Sequence, residues 1–202
     1  MHVWTRLALL GSLCCAVSPA AAGPGIIINE YLYDPAPNLT GDSNQDTVVN
    51  TSQDEFVEFV NVSANPVDMS DWTIEDTLAS SVTRHVFPQG TVVNPGCAIV
   101  VFGGGHPPIN LFGGAVIQVA SSGALSLNND GDTIKLKDAG GVIIAQQPYS
   151  DAGNVDQSYT RDPDITGAVF VQHSTASNSG GALFSPGKRL NGTTFGACVP
   201  PG

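Results

Sequence analysis

The sequence predicts an all-β fold, a sandwich or barrel of short strands, and three observations carry that prediction. Helical periodicity is nearly absent, since no apolar i, i+3, i+4, i+7 pattern persists over three turns. Short runs of β-branched and aromatic residues recur along the chain instead. Clusters of Gly, Pro, Asn and Asp separate those runs, as turns separate strands.

In order, the runs are residues 26–32, 55–61, 72–75, 84–87, 97–102, 116–119, 133–137, 142–146 and 157–161. Asn94-Pro95-Gly96 turns the chain into Cys97-Ala98-Ile99-Val100-Val101-Phe102. That stretch lacks alternation, which suits a central strand covered on both faces. Gly103-Gly104-Gly105 ends it. Residues 133–137 alternate cleanly, with Lys135 and Lys137 outward and Ile134 and Leu136 inward. Asp138-Ala139-Gly140-Gly141 then closes a hairpin onto Val142-Ile143-Ile144. After Gln146 the composition turns polar, and 162–164, 173–181 and 185–187 read as loops and a wrapped tail. The Ser, Asn and Gly content of 174–181 suggests a mobile loop. The core expected from these runs is Phe56, Phe59, Trp72, Ile74, Phe87, Ile99, Val101, Ile134 and Leu136.

Residues 1–22 read as a secretory signal peptide. Arg6 precedes the apolar run 7–17, and Ala20-Ala21-Ala22 supplies a small-residue cleavage site. The run is too short to span a bilayer, which takes ~20 apolar residues. Cleavage after Ala22 leaves one ordinary domain, assigned to residues 23–190 with a C-terminal tail at 191–202. The formal net charge of −11 disfavours nucleic acid, whose phosphates such a surface repels. No polybasic segment or second apolar run points to a membrane. Cys97 and Cys198 survive processing. In an oxidising compartment they form a disulfide that tethers the tail, or they stay as a buried thiol and a loose tail thiol.

The one local signal for chemistry is the acidic loop 42–55. Asp42, Asn44 and Asp46 stand at alternate positions, as oxygen ligands do at the start of a calcium-binding EF-hand loop. Thr47 takes the place of the turn glycine and Gln53 that of the closing glutamate, and no flanking helices are visible. The loop therefore reads as a sandwich loop folded back so that Asp54 or Glu55 completes a structural calcium site. The competing reading is a solvated loop whose Asp and Asn residues favour turns.

Other constellations carry less. His85, His106 and His173 lie on separate segments without metal-ligand spacing. His85 reads as a half-exposed strand residue, and His106 caps the glycine run. Glu58 reads as half of a cross-strand charge pair or as a cap. No Gly-x-Ser-x-Gly elbow is present. Asp162 and Asp164 sit in one tight turn, a poor place to flank a glycosidic bond. Arg161 reads as a partner of a carboxylate or of backbone carbonyls that pins the tail.

The order of signals resembles the lamin tail domain family in its secreted bacterial form. The matching pieces are Ile26-Ile27-Ile28-Asn29-Glu30, Asp54-Glu55-Phe56-Val57-Glu58-Phe59-Val60-Asn61, Asp71-Trp72-Thr73-Ile74, Val93-Asn94-Pro95-Gly96 and Asn129-Asp130-Gly131-Asp132-Thr133. The run Gln157-Ser158-Tyr159-Thr160-Arg161 and the late Ser185-Pro186-Gly187 complete the set, which spans roughly residues 26–190. The resemblance implies an immunoglobulin-like β-sandwich and a non-catalytic interaction module. The expectation is a secreted binding or structural domain, stabilised by calcium, whose partner is a protein or a cell-surface polymer. The alternative is a small extracellular metal-dependent hydrolase using Asp42, Asp46, Glu55 and a histidine, or an accessory domain of one.

Overall fold

The computed structural model describes residues 25–77, 80–150, 153–196 and 198. The expected signal peptide lies outside them, as does most of the chain after 196. The described residues form twelve strands. These are β1 (Ile26–Leu32), β2 (Phe56–Asn61), β3 (Val67–Asp68), β4 (Thr73–Asp76), β5 (Val82–Val86) and β6 (Val92–Val93). They continue with β7 (Ala98–Phe102), β8 (Val116–Val119), β9 (Asp132–Lys137), β10 (Ile143–Tyr149), β11 (Tyr159–Arg161) and β12 (Phe170–Gln172). Short 3-10 turns occupy Leu39–Gly41, Ile109–Leu111 and His173–Thr175.

Two main sheets stack. One has six strands in the order β12-β11-β1-β2-β7-β8, the other four in the order β10-β9-β4-β5, and β3-β6 form a small ribbon. The pairs are antiparallel except β7 with β8. Between the sheets lie Ile28, Phe59, Trp72, Ile74, Phe87, Ile99, Val101, Ile134 and Leu136, all buried. Removing each such side chain from water stabilises by about 1.5–3 kcal/mol. Tyr31, Tyr33, Tyr149 and Tyr159 pack ring against ring at one end, with Tyr33 and Tyr149 centroids 4.6 Å apart.

The six-stranded sheet is covered on its outer face as well. Leu32, Phe56, Val60, Ala98, Val100 and Phe102 point that way and meet Phe112 and Phe195. Every residue of β7 is buried, as its unbroken apolar run predicts. The cover is drawn from the chain after β11, a strap within residues 162–195 that is interrupted by the edge strand β12. Ile165 and Phe184 pack on the same cluster. Arg161 pins the strap as expected, its guanidinium donating to the carbonyls of Ile28 and Gly167 at 2.7 and 2.6 Å. Phe195 is fully buried although it lies in the stretch that reads as tail.

Several details differ from the sequence reading. β3, β6 and β12 have only two or three residues, too few to show a period. β10 runs on through Pro148 to Tyr149, which an edge strand tolerates because its outer amide needs no ladder partner. His85 is buried, not half-exposed. Its Nε2 faces Gln118 Oε1 at 2.8 Å and its Nδ1 accepts the Ser121 amide at 3.2 Å, so both ring nitrogens are satisfied. The segment 174–181 is a series of hydrogen-bonded turns that follow the buried His173.

Candidate functional site

The acidic loop folds onto the end of β7, and the glycine run after that strand is its seat. A side chain on Gly103 would collide with the carbonyl of Ser52. One on Gly105, whose φ is +79°, would collide with Asp46 and Asn44. Asp46 locks the contact through Oδ2, which accepts the His106 amide at 2.9 Å, while its Oδ1 accepts Val48 N–H at 2.8 Å. Asn44 Oδ1 accepts the Asp46 amide at 3.0 Å, and its Nδ2 donates to the Gly104 carbonyl at 3.3 Å. Ser43 donates to the Asp54 carbonyl.

Thr47 departs from an EF-hand in residue type but not in backbone. Its φ is +70°, the left-handed conformation a glycine serves at the sharp turn of such a loop. A β-branched residue there is strained.

Asp42 and Asp54 each leave one oxygen over. Asp42 Oδ2 accepts Thr47 N–H at 3.1 Å and Asp54 Oδ2 accepts Asn50 N–H at 2.9 Å. The Oδ1 atoms of both are buried without a hydrogen-bond partner. Asp54 is fully buried. Burial raises its carboxyl to about 6, against the pull of the Asn50 and Asn44 amides and with a further push from Asp42 and Asp46. Buried carboxylate oxygens without donors demand a proton or a cation.

Glu55 does not join this group. Its Oε2 accepts the Leu127 amide at 3.2 Å, and the charged groups it feels are Arg84 and Asp76, on β5 and β4. Burial raises it to about 8, opposed by the amides of Leu127 and Ser126. Adjacent residues of an extended chain point to opposite sides, so Asp54 faces the loop and Glu55 the space between the sheets. Among the described residues no three His, Cys, Asp or Glu side chains are grouped as a metal centre. The oxygens this loop leaves over for a cation are Asp42 Oδ1 and Asp54 Oδ1.

A second polar constellation, missed in the sequence, lies under the strap. Thr160, Glu30, Glu58 and Val100 form one row across β11, β1, β2 and β7, all fully buried. Opposite Glu58 stands another acid, not the cation a charge pair would need. A register shift between Ile28 and Glu30 marks a bulge, and Asn29 donates to Glu58 Oε1 at 2.9 Å. Strap amides supply the rest. Ser185 N–H donates to Glu30 Oε1 at 2.8 Å and Gly187 N–H to Glu58 Oε2 at 2.7 Å. Ser158 Oγ–H donates to Glu30 Oε1 at 2.6 Å. Asn29 Oδ1 accepts Ile165 N–H at 2.9 Å, and Asp164 Oδ2 accepts Leu190 N–H at 2.7 Å. Burial pushes both glutamates up, and Glu30 raises Glu58 further.

Cys97 and Cys198 are paired, with Cα atoms 5.1 Å apart, which fixes the far end of the strap at the start of β7. Among the described residues no helix is long and apolar enough to cross a membrane.

A search of curated proteins found no match. The Lamin Tail Domain family model matches residues 19–151, well over half of the chain and all of the strands from β1 to β10. The two-sheet architecture and the family model agree, and the chain belongs to the lamin tail domain family, with an immunoglobulin-like β-sandwich fold.

Proposed function

We propose that this protein is a secreted, non-catalytic lamin-tail module that acts outside the cell as a binding or structural element, its acidic loop closed by a calcium ion. The observation that carries the ion is the pair of buried Oδ1 atoms on Asp42 and Asp54 that have no donor. A hard divalent cation satisfies both oxygens and cancels the repulsion that Asp54 feels from Asp42 and Asp46. Thr47 holds the turn such a loop needs. The partner is a protein or a cell-surface polymer.

The non-catalytic reading rests on how the reactive side chains are used. Glu55 is turned away from Asp42 and Asp46, so the three do not assemble a hydrolytic metal site. Ser185 bonds both to His173, also in the strap, and to the buried Glu30 of β1.

The test is calorimetry and thermal unfolding of the mature chain with calcium or with chelator. Calcium should bind at millimolar concentration or below and raise the melting temperature, and Asp54→Asn should abolish both. Saturation at a hundredfold excess over Kd stabilises by about 2.7 kcal/mol. An unchanged melting temperature together with no binding heat would refute the ion. Hydrolysis of phosphodiester or glycoside substrates, lost in Asp46→Ala, would refute the non-catalytic reading.

A further inference from the structure

We propose that the strap is a proton-dependent latch: one proton shared along Glu30, Ser185 and His173 holds it against the sheet, and loss of that proton lets residues 173–187 lift away. The hydrogen-bond partners dictate the proton count. His173 is fully buried, and its Nδ1 lies 2.8 Å from the Ala182 carbonyl oxygen. A carbonyl only accepts, so Nδ1 carries a hydrogen. On the other side of the ring, Nε2 is 2.8 Å from Ser185 Oγ, which is 2.9 Å from Glu30 Oε2.

Ser185 has one hydroxyl hydrogen and two neighbours that both need hydrogen bonds. If it donates to Glu30, then Nε2 must also carry a hydrogen, giving an imidazolium beside a carboxylate. If it donates to Nε2, then Glu30 Oε2 must be protonated and donate to Ser185. Both arrangements hold the same number of protons, one more than a neutral imidazole with a carboxylate. Without that proton, one of the two contacts becomes a lone pair facing a lone pair. The shared proton therefore belongs to the group as a unit.

The surroundings give no substitute for it. Across β2 stands Glu58, an acid that repels a bare Glu30. On β11, Thr160 is opposite Glu30 in register, and Arg161 is committed to the carbonyls of Ile28 and Gly167. Asp164 in the strap accepts from Leu190 and, at 3.4 Å, from Asn29. His173, with Nε2 3.9 Å from Glu30 Oε1, is the one basic side chain in the group.

The direction of the pH effect follows. Burial raises Glu30 above its ordinary 4.5, opposed by the His173 charge and the bonds from Ser158 and Ser185. A raised folded value gives stabilisation that is complete below 4.5 and lost as pH rises through the folded value. The latch closes in acid and loosens toward alkaline pH. The Cys97–Cys198 pair keeps the opened strap tethered for reclosure.

Amide hydrogen exchange on the mature chain between pH 5.5 and 9, corrected for intrinsic rates, tests this. Protection of the His173, Ser185 and Gly187 amides, taken relative to β7 amides, should fall at least tenfold across that range. In Glu30→Gln the side-chain amide donates where the shared proton did, so relative protection should stay flat and high. A wild-type ratio that does not change with pH, or the same fall in Glu30→Gln, overturns the latch. Glu58→Gln should keep the fall, and a flat profile there instead assigns the proton to Glu58 and refutes the proposal. Closure of the strap is also observable through the ring: a slowly exchanging Nδ1–H resonance of His173, held by the Ala182 carbonyl, that is present at pH 6 and broadens as pH rises supports the latch, and its absence at pH 6 counts against it.

Discussion

Removing the Cys97–Cys198 link tests a contribution to stability that acts through the unfolded chain. The two residues are 101 positions apart, so the cross-link closes a loop that holds β7 to β12 and the strap. In the chain-entropy model a loop of that size restricts the unfolded ensemble by about 4.7 kcal/mol. A domain of this size has a total stability of about 5–15 kcal/mol, so the link is a third or more of the whole. The measured loss should be smaller than the model value, because the unfolded chain retains some compactness. The double substitution Cys97→Ala and Cys198→Ala avoids burying a hydroxyl at Cys97, which is 4% exposed. Urea unfolding at fixed calcium should show a drop of about 2–4 kcal/mol with a steeper denaturant slope, because the uncrosslinked unfolded chain exposes more surface, and thiol reductant should bring the wild type close to the same midpoint. Mass spectrometry of the purified chain should show it two hydrogens lighter than its reduced form. A double variant within ~0.5 kcal/mol of the wild type, or free thiols by mass, would refute the reasoning.

Three other outcomes are expected. Thr47→Gly removes a side chain from a φ of +70° and should stabilise the fold by up to ~1 kcal/mol in denaturant titration, through relieved backbone strain. Phe195→Ala empties a fully buried site in the cluster under the strap and should cost ~3–5 kcal/mol by denaturant titration. The strap should become sensitive to protease before the sandwich does. Burial lowers the basicity of His85, against its bond to Gln118. Its contribution is therefore present above 6.5 and lost as pH falls through the folded value. The stability difference between wild type and His85→Leu should shrink from pH 7.5 to 5.

The inter-sheet core was legible because its signals are local. Ile134 and Leu136 alternate with lysines, β7 is an unbroken apolar run, and turn residues bracket each strand. The short pairings of β3 with β6 and of β11 with β12 depend on tertiary contacts and left no period to read. In the acidic loop, residue types marked Asp42, Asn44 and Asp46, but sequence distance could not tell that Asp54 faces the loop while Glu55 turns inward. A signal was present in Gly103–Gly105, whose lack of side chains makes room for the loop, although it read only as a strand end. Glu30 and Glu58 were harder to see. Each resembles an outward polar residue on a half-exposed strand, and only the strap, more than a hundred residues later, makes that face an interior. The tail reads as loops because it meets the sheet through backbone amides, which every sequence possesses.

Those two carboxylates also bear on how the strap finds its place. An apolar pair at the same positions would bury well, yet it would accept any greasy segment, in any alignment, from this chain or from a neighbouring copy. Glu30 and Glu58 instead ask for amide hydrogens at two points, and the strap presents them at Ser185 and Gly187. The residue between is Pro186, which has no amide hydrogen. A slip of one residue in either direction would bring the imide nitrogen of Pro186 against a buried carboxylate and leave that acid without its donor. The sheet thus proofreads the register of its own cover, and it discriminates against strand exchange between copies by making the misaligned arrangement costly.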